Sequence, residues 1–177
     1  MPRMHAAASQ LLVIDLQTRL MPAIDRGDQV ARNAATLITA ARRLAVPLLF
    51  TEQNPRGLGP TLPELAPAPE DTIEKMTFDA LACPALPARL APARTVIVCG
   101  CEAHICVTQS VLGLRDAGYR VQVVADAVGS RAPENRTRAL DRMARNGAGI
   151  VTTEMVLFEW LESAEHPAFH DLRRLIR

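Results

Sequence analysis

The stretch TVIVCGCEAHICVTQS, residues 95–110, changes character halfway. Thr95 to Cys99 is an apolar run of the kind found in a strand buried on both faces, and Gly100 ends it. The residues beyond it read as a helix to about Ala117. A buried strand running directly into a helix is half of the unit from which parallel sheets are built.

The same alternation extends in both directions. Towards the N-terminus, LLVID (11–15) reads as a buried strand, and so does VPLLFT (46–51). Between them Val30, Ala34, Leu37, Ile38, Ala41, Leu44 and Ala45 recur at helical spacing, with Arg32, Asn33, Arg42 and Arg43 on the other face. The Pro- and Gly-rich segment QNPRGLGPTLPELAPAPED predicts a long irregular loop with at most a helical turn, a length that often carries function. DTIEKMTF (71–78) follows as a short extended segment. Towards the C-terminus, YRVQVVADA (119–127) and GIVTT (149–153) supply two more strands. A helix between them opens at Pro133 and stops near Asn146-Gly147. Two short amphipathic helices close the chain. Neither a repeat nor a domain boundary is visible, so residues 1–177 read as one domain. The expected fold is a three-layer α/β/α sandwich around a six-stranded, mainly parallel sheet, and its site should lie beyond the carboxyl ends of the strands.

The bulk numbers restrict the function. A net charge of +1 and six aromatic residues in 177 do not supply the clustered cations and stacking platforms of a nucleic-acid groove. No apolar run approaches a membrane span, and MPRMHAAASQ is too short for a signal sequence, so a cytoplasmic protein with reduced cysteines is expected. Of twenty basic side chains Lys75 is the only lysine. It is either an accident of an Arg-rich composition or a place where a compact ammonium does what a guanidinium cannot.

Cys99, Cys101, His104 and Cys106 crowd into eight positions. Closed zinc sites use two separated ligand pairs, and Cys99 inside a strand can hardly converge on a metal with Cys106. A Cys-x-x-Cys redox motif is absent. Cys83, Cys99 and Cys101 read as small hydrophobes. Cys106 falls at the start of a helix, where free N–H groups and the macrodipole favour a thiolate. His104 lies two residues from it and cannot face it on a helix, so it belongs to the pocket rim. Asp15, at the end of the first strand, is left as the base, with Lys75 to hold it ionised and oriented.

VIDLQ, EKMTF and G-x-E-A-H-x-C before a helix, with TEQNPRGLGPTLPEL and VVADAVGSR, resemble the isochorismatase-like cysteine hydrolases over most of the chain. The resemblance implies an Asp15–Lys75–Cys106 triad and a cis peptide at Cys101–Glu102. It also implies an oxyanion hole from the backbone N–H groups of Glu102 and Cys106. With a cysteine present it points to C–N bonds of small amides or ureides, cleaved through a thioester. Gln53 and Phe78 are candidates for the pocket wall, or ordinary loop packing. The Asp-x-His cluster of metal-binding nicotinamidases is replaced here by TEQNPRG, and no histidine stands between His5 and His104, so neither metal nor other cofactor is expected. The family's subunits generally associate, which implies a homo-oligomer. Phe169, Leu172 and Ile176 could form its contacts or pack on their own sheet. The competing reading is an isochorismatase-like scaffold kept for binding or assembly, with little hydrolysis.

Overall fold

The computed structural model describes residues 3–176. Six strands form one sheet: β1 (Ser9–Ile14), β2 (Leu48–Gln53), β3 (Thr72–Lys75), β4 (Thr95–Cys101), β5 (Arg120–Gly129) and β6 (Gly149–Val151). All five pairings are parallel, in the order β3-β2-β1-β4-β5-β6. The chain builds outward from β1 in one direction, then returns to β4 and builds the other way. The reversal lies between β1 and β4, which is where such sheets open a crevice for ligands.

Alternate side chains of the buried strands feed two cores. Leu11, Val13, Phe50, Ile97, Cys99 and Val124 face α1 (Gly27–Arg43), joined there by residues of a later helix, Val156, Leu157 and Trp160. Leu12, Ile14, Leu49, Val96, Val98 and Val123 face the other way, onto Val111, Leu114, Ala139 and Met143. Fully burying a side chain of this size contributes about 1.5–3 kcal/mol, so a strand with both faces covered is strongly anchored. The remaining helices are α2 (Pro55–Leu58), α3 (Thr108–Asp116), α4 (Pro133–Arg145), α5 (Thr153–Leu161) and α6 (Phe169–Arg173). Among the described residues no helix is long and apolar enough to cross a membrane.

Several element bounds differ from the sequence expectation, and those of β2, the long loop and the helix after β4 bear on the site. β2 begins at Leu48 rather than Val46, because Pro47 has no N–H to donate and contributes only its carbonyl, to Leu11 N–H (2.8 Å). The strand runs on to Gln53, paired there with Lys75 of β3. The long loop is stitched down by 3₁₀ turns at Pro63–Leu65 and Pro69–Asp71, and by an isolated bridge between Gln17 and Thr61. The helix after β4 opens with a wide π turn, Ala103–Val107, before α3 begins at Thr108. Near the C-terminus Leu172 is buried in the α1-side core, with Phe169 and Ile176 packed against it, so own-sheet packing accounts for these residues.

Candidate active site

β1 hands over to its loop at Asp15, which adopts a left-handed backbone conformation (φ 51°) that aspartate tolerates better than most residues. Its N–H donates to Thr51 O (3.1 Å), keeping the turn in register with β2. Beside it Gly100, at φ 124°, lies so close to β1 that a Cβ would stand 1.9 Å from the Ile14 carbonyl oxygen. Only glycine allows β4 to approach β1 this closely. The close approach brings the carboxylate of Asp15 to the turn that carries Cys106.

Asp15 and Lys75 form an ion pair of 2.8 Å whose side chains are 1% and 0% exposed. The other carboxylate oxygen of Asp15 accepts the Thr51 hydroxyl at 2.6 Å. Beyond Asp15 the ammonium also donates to the carbonyls of Thr77 (3.2 Å) and Phe78 (3.5 Å). Three acceptors satisfy three N–H donors, the condition under which a buried cation is tolerated. Lys75 is therefore a fully used internal group and not a solvated charge.

Cys106 lies against this pair, with 7% of its surface exposed. Burial pushes its thiol up to about 12, and the negative charge of Asp15 adds to the effect. Lys75 opposes the rise, while a hydrogen bond to Asp15 and the charge of Glu102 reinforce it. This corrects the expectation of a thiolate favoured by the helix start. Burial, reinforced by the charge of the nearby Asp15 carboxylate, favours the protonated S–H. Cys99 is likewise pushed up to about 12, and Cys101 higher still, both by burial. Cys83 is half-buried and packs against the α3-side core.

The Cys101–Glu102 peptide is cis. Among the described residues the N–H of Glu102 donates to no backbone carbonyl outside the regular ladders, and its carbonyl accepts from Ile105 (3.0 Å) and Val107 (3.2 Å) on either side of Cys106. His104 is at the rim, with Nδ1 3.0 Å from the Ser130 hydroxyl. Gln53 is half-buried, and its side-chain amide donates to Met76 O (3.1 Å). Phe78 is 50% exposed and contributes its carbonyl to Lys75. Clefts of about 480 and 490 Å³ lie away from the triad. One, lined by Arg42 and Arg89, is at the opposite ends of the strands; the other lies between the starts of α1 and α4. Sequence reasoning missed Thr51, for which a hydroxyl ending an otherwise apolar run was the only signal. It also missed the Glu102 side chain, whose carboxylate holds Arg131.

The doubly wound sheet thus carries a buried acid, a lysine and a cysteine at the carboxyl ends of β1, β3 and β4. Residues 9–155 match the Isochorismatase domain, and the chain belongs to the isochorismatase family. It is 37% identical over 172 residues to isochorismatase domain-containing protein 2 of Xenopus laevis, covering 96% of this chain and 83% of that one. A solved structure titled MAR1 ribonuclease, from Caenorhabditis elegans, superposes with a TM-score of 0.90 at 33% identity, over 99% of this chain and 92% of that one. YcaC from Pseudomonas aeruginosa, solved with hexane-2,5-diol and covalent acrylamide, gives 0.83 at 25% identity, over 98% and 96%.

Proposed function

We propose that this protein hydrolyses a C–N bond of a small amide or ureide through a Cys106 thioester. The observation that carries the reading is a buried cysteine beside the buried Asp15–Lys75 ion pair, at the carboxyl ends of the central strands. Asp15 accepts the thiol proton as sulfur attacks the carbonyl carbon, so no standing thiolate is needed. The N–H groups of Glu102 and Cys106 meet the developing oxyanion, each contributing about 3–4 kcal/mol in comparable sites. Asp15 then gives its proton to the leaving nitrogen, and later takes one from the water that cleaves the thioester. Lys75 holds Asp15 in place throughout. Gln53 and Phe78 border the substrate.

The ends of β2 and the loop after it, Gln53, Asn54 and Pro55, offer no carboxylate–histidine set, so a nicotinamidase-type metal does not fit there. Covalent acrylamide in the Pseudomonas relative agrees with a reactive nucleophile on this fold. The ribonuclease name of the nematode relative points to another reaction, but a phosphodiester needs cations free to meet its charge. Here the ammonium is occupied by Asp15 and two carbonyls. One observation favours the inert scaffold instead: Cys106 is buried, which pushes its thiol up, and a buried cysteine reacts slowly. A screen of small amides and ureides with a coupled ammonia assay decides between them. Turnover that disappears in Cys106→Ala supports hydrolysis; release of ammonia that survives this substitution refutes it.

A further inference from the structure

Glu102 has a side chain the triad does not use, and it is placed where few carboxylates are found. It is 5% exposed, yet accepts three hydrogen bonds from one neighbour: Arg131 N–H (2.9 Å) and Arg131 Nε to both oxygens (3.1 Å each). The backbone carbonyl of the same residue takes the N–H groups of Ile105 and Val107. One residue therefore ties the turn that carries Cys106 to itself and to the loop after β5. That loop is held in turn by Ser130, whose carbonyl accepts from Asp25 (3.1 Å) and whose hydroxyl meets His104.

We infer that Glu102 and Arg131 are a positioning pair that sets the reactivity of the nucleophile: the buried carboxylate anchors the Cys106 turn, and Arg131 cancels the charge this anchor brings near the sulfur. The inference rests on the reading of Cys106 as the nucleophile. Three charged groups act on the thiol, namely Asp15 from the end of β1, Lys75 from β3 and Glu102 from the end of β4; Arg131, from the loop after β5, meets Glu102. His104 stands on the same turn. The charge of Glu102 acts on the thiol in the direction that keeps it protonated. An anchor without a countercharge would hold the sulfur in place and suppress it. Arg131, 60% exposed, supplies that countercharge, and its contact with solvent screens the effect without abolishing it.

Electrostatic positioning and plain structural support predict opposite patterns. The experiment is the rate of Cys106 alkylation by iodoacetamide on the intact chain at mildly alkaline pH. Peptide mass spectrometry resolves each thiol, Cys83 serves as the surface reference, and circular dichroism confirms folding. Arg131→Gln, leaving the carboxylate uncancelled, should slow Cys106 by roughly three- to tenfold, the span between full thiolate loss and its partial offset by higher nucleophilicity. Glu102→Gln, removing the negative charge but not the shape, should accelerate it by a similar factor. Arg131→Lys should restore most of the original rate. If Arg131→Gln does not fold, the Glu102→Gln acceleration and the Arg131→Lys rate decide. Slowing in both charge-removing variants, or no change in either, would overturn the pair's electrostatic role. An unlabelled Cys106 in the unsubstituted protein, beside a labelled Cys83, would instead overturn the hydrolase reading and this inference with it.

Discussion

Two carboxylates flank Cys106, and the protein treats them differently. On the β1 side Asp15 is paired with an ammonium that no water reaches, and a threonine hydroxyl occupies its second oxygen. On the β5 side Glu102 is equally buried, but its partner Arg131 lies mostly in solvent. A buried pair that loses one member leaves a stranded charge, at a cost of about 3–5 kcal/mol. The half-exposed pair can relax its arginine into water. The first is thus built as fixed machinery and the second as an adjustable support, and substitutions on the two sides should differ in kind as well as in size.

The largest effect is expected at the sulfur between them. Cys106→Ala should keep the fold and reduce amide hydrolysis to background, while Cys83→Ala remains active; steady-state ammonia release with melts by circular dichroism checks both. Lys75→Arg comes next and tests the rigid side. A guanidinium is planar and tends to grip both oxygens of a carboxylate, which would take Asp15 away from the thiol and displace the Thr51 hydroxyl. Acyl-enzyme formation should be abolished or severely reduced in a folded protein. Normal burst kinetics in this variant would make the only lysine a compositional accident.

Thr51→Val should be milder. It removes one hydrogen bond to a charged group, about 1.5–3 kcal/mol, and the steady-state rate should fall by roughly tenfold or more with little change in melting temperature if the loss falls mainly on the transition state. A rate equal to that of the unsubstituted protein would show that Lys75 alone orients Asp15. The pH response sharpens the comparison further. A thiol raised to about 12 should alkylate faster with each pH step between roughly pH 7 and pH 10, without a plateau. Because folding raises this pKa above the unfolded value, its contribution to stability is full below the unfolded pKa of about 9 and is lost as pH climbs towards 12. Melting temperature should therefore fall less steeply above about pH 9 in Cys106→Ala than in the unsubstituted chain. Chelation carries the smallest expected effect, which is none. Activity lost to a chelator and restored by zinc or iron would require a different mechanism.

The layered sheet was legible because a strand buried on both faces has to be apolar throughout. Each such run was followed by helical spacing or a turn signal, so the element order could be read directly. Lys75 stood out because an arginine-rich chain spent a lysine there. Glu102 and Arg131 did not, since one arginine among many carries no mark and their meeting depends on how far β5 extends. Thr51 was hidden for a similar reason. Its role follows from the pairing of Ile14 with Thr51, and register between distant strands cannot be read from either strand alone. The environment of Cys106 was hidden because a helix start in sequence does not reveal that the thiol is buried, and burial with the charge of Asp15 raises its pKa.

The central claim is that Cys106, with its proton taken by Asp15, accepts an acyl group. The most direct measurement treats the protein with 4-nitrophenyl acetate and follows nitrophenolate release by stopped flow, locating the acetyl group by peptide mass spectrometry. The account predicts a stoichiometric burst with the acetyl on Cys106, and a burst strongly slowed in Asp15→Asn. A burst of undiminished rate in Asp15→Asn, or acetylation elsewhere with Cys106 unmodified, would contradict it.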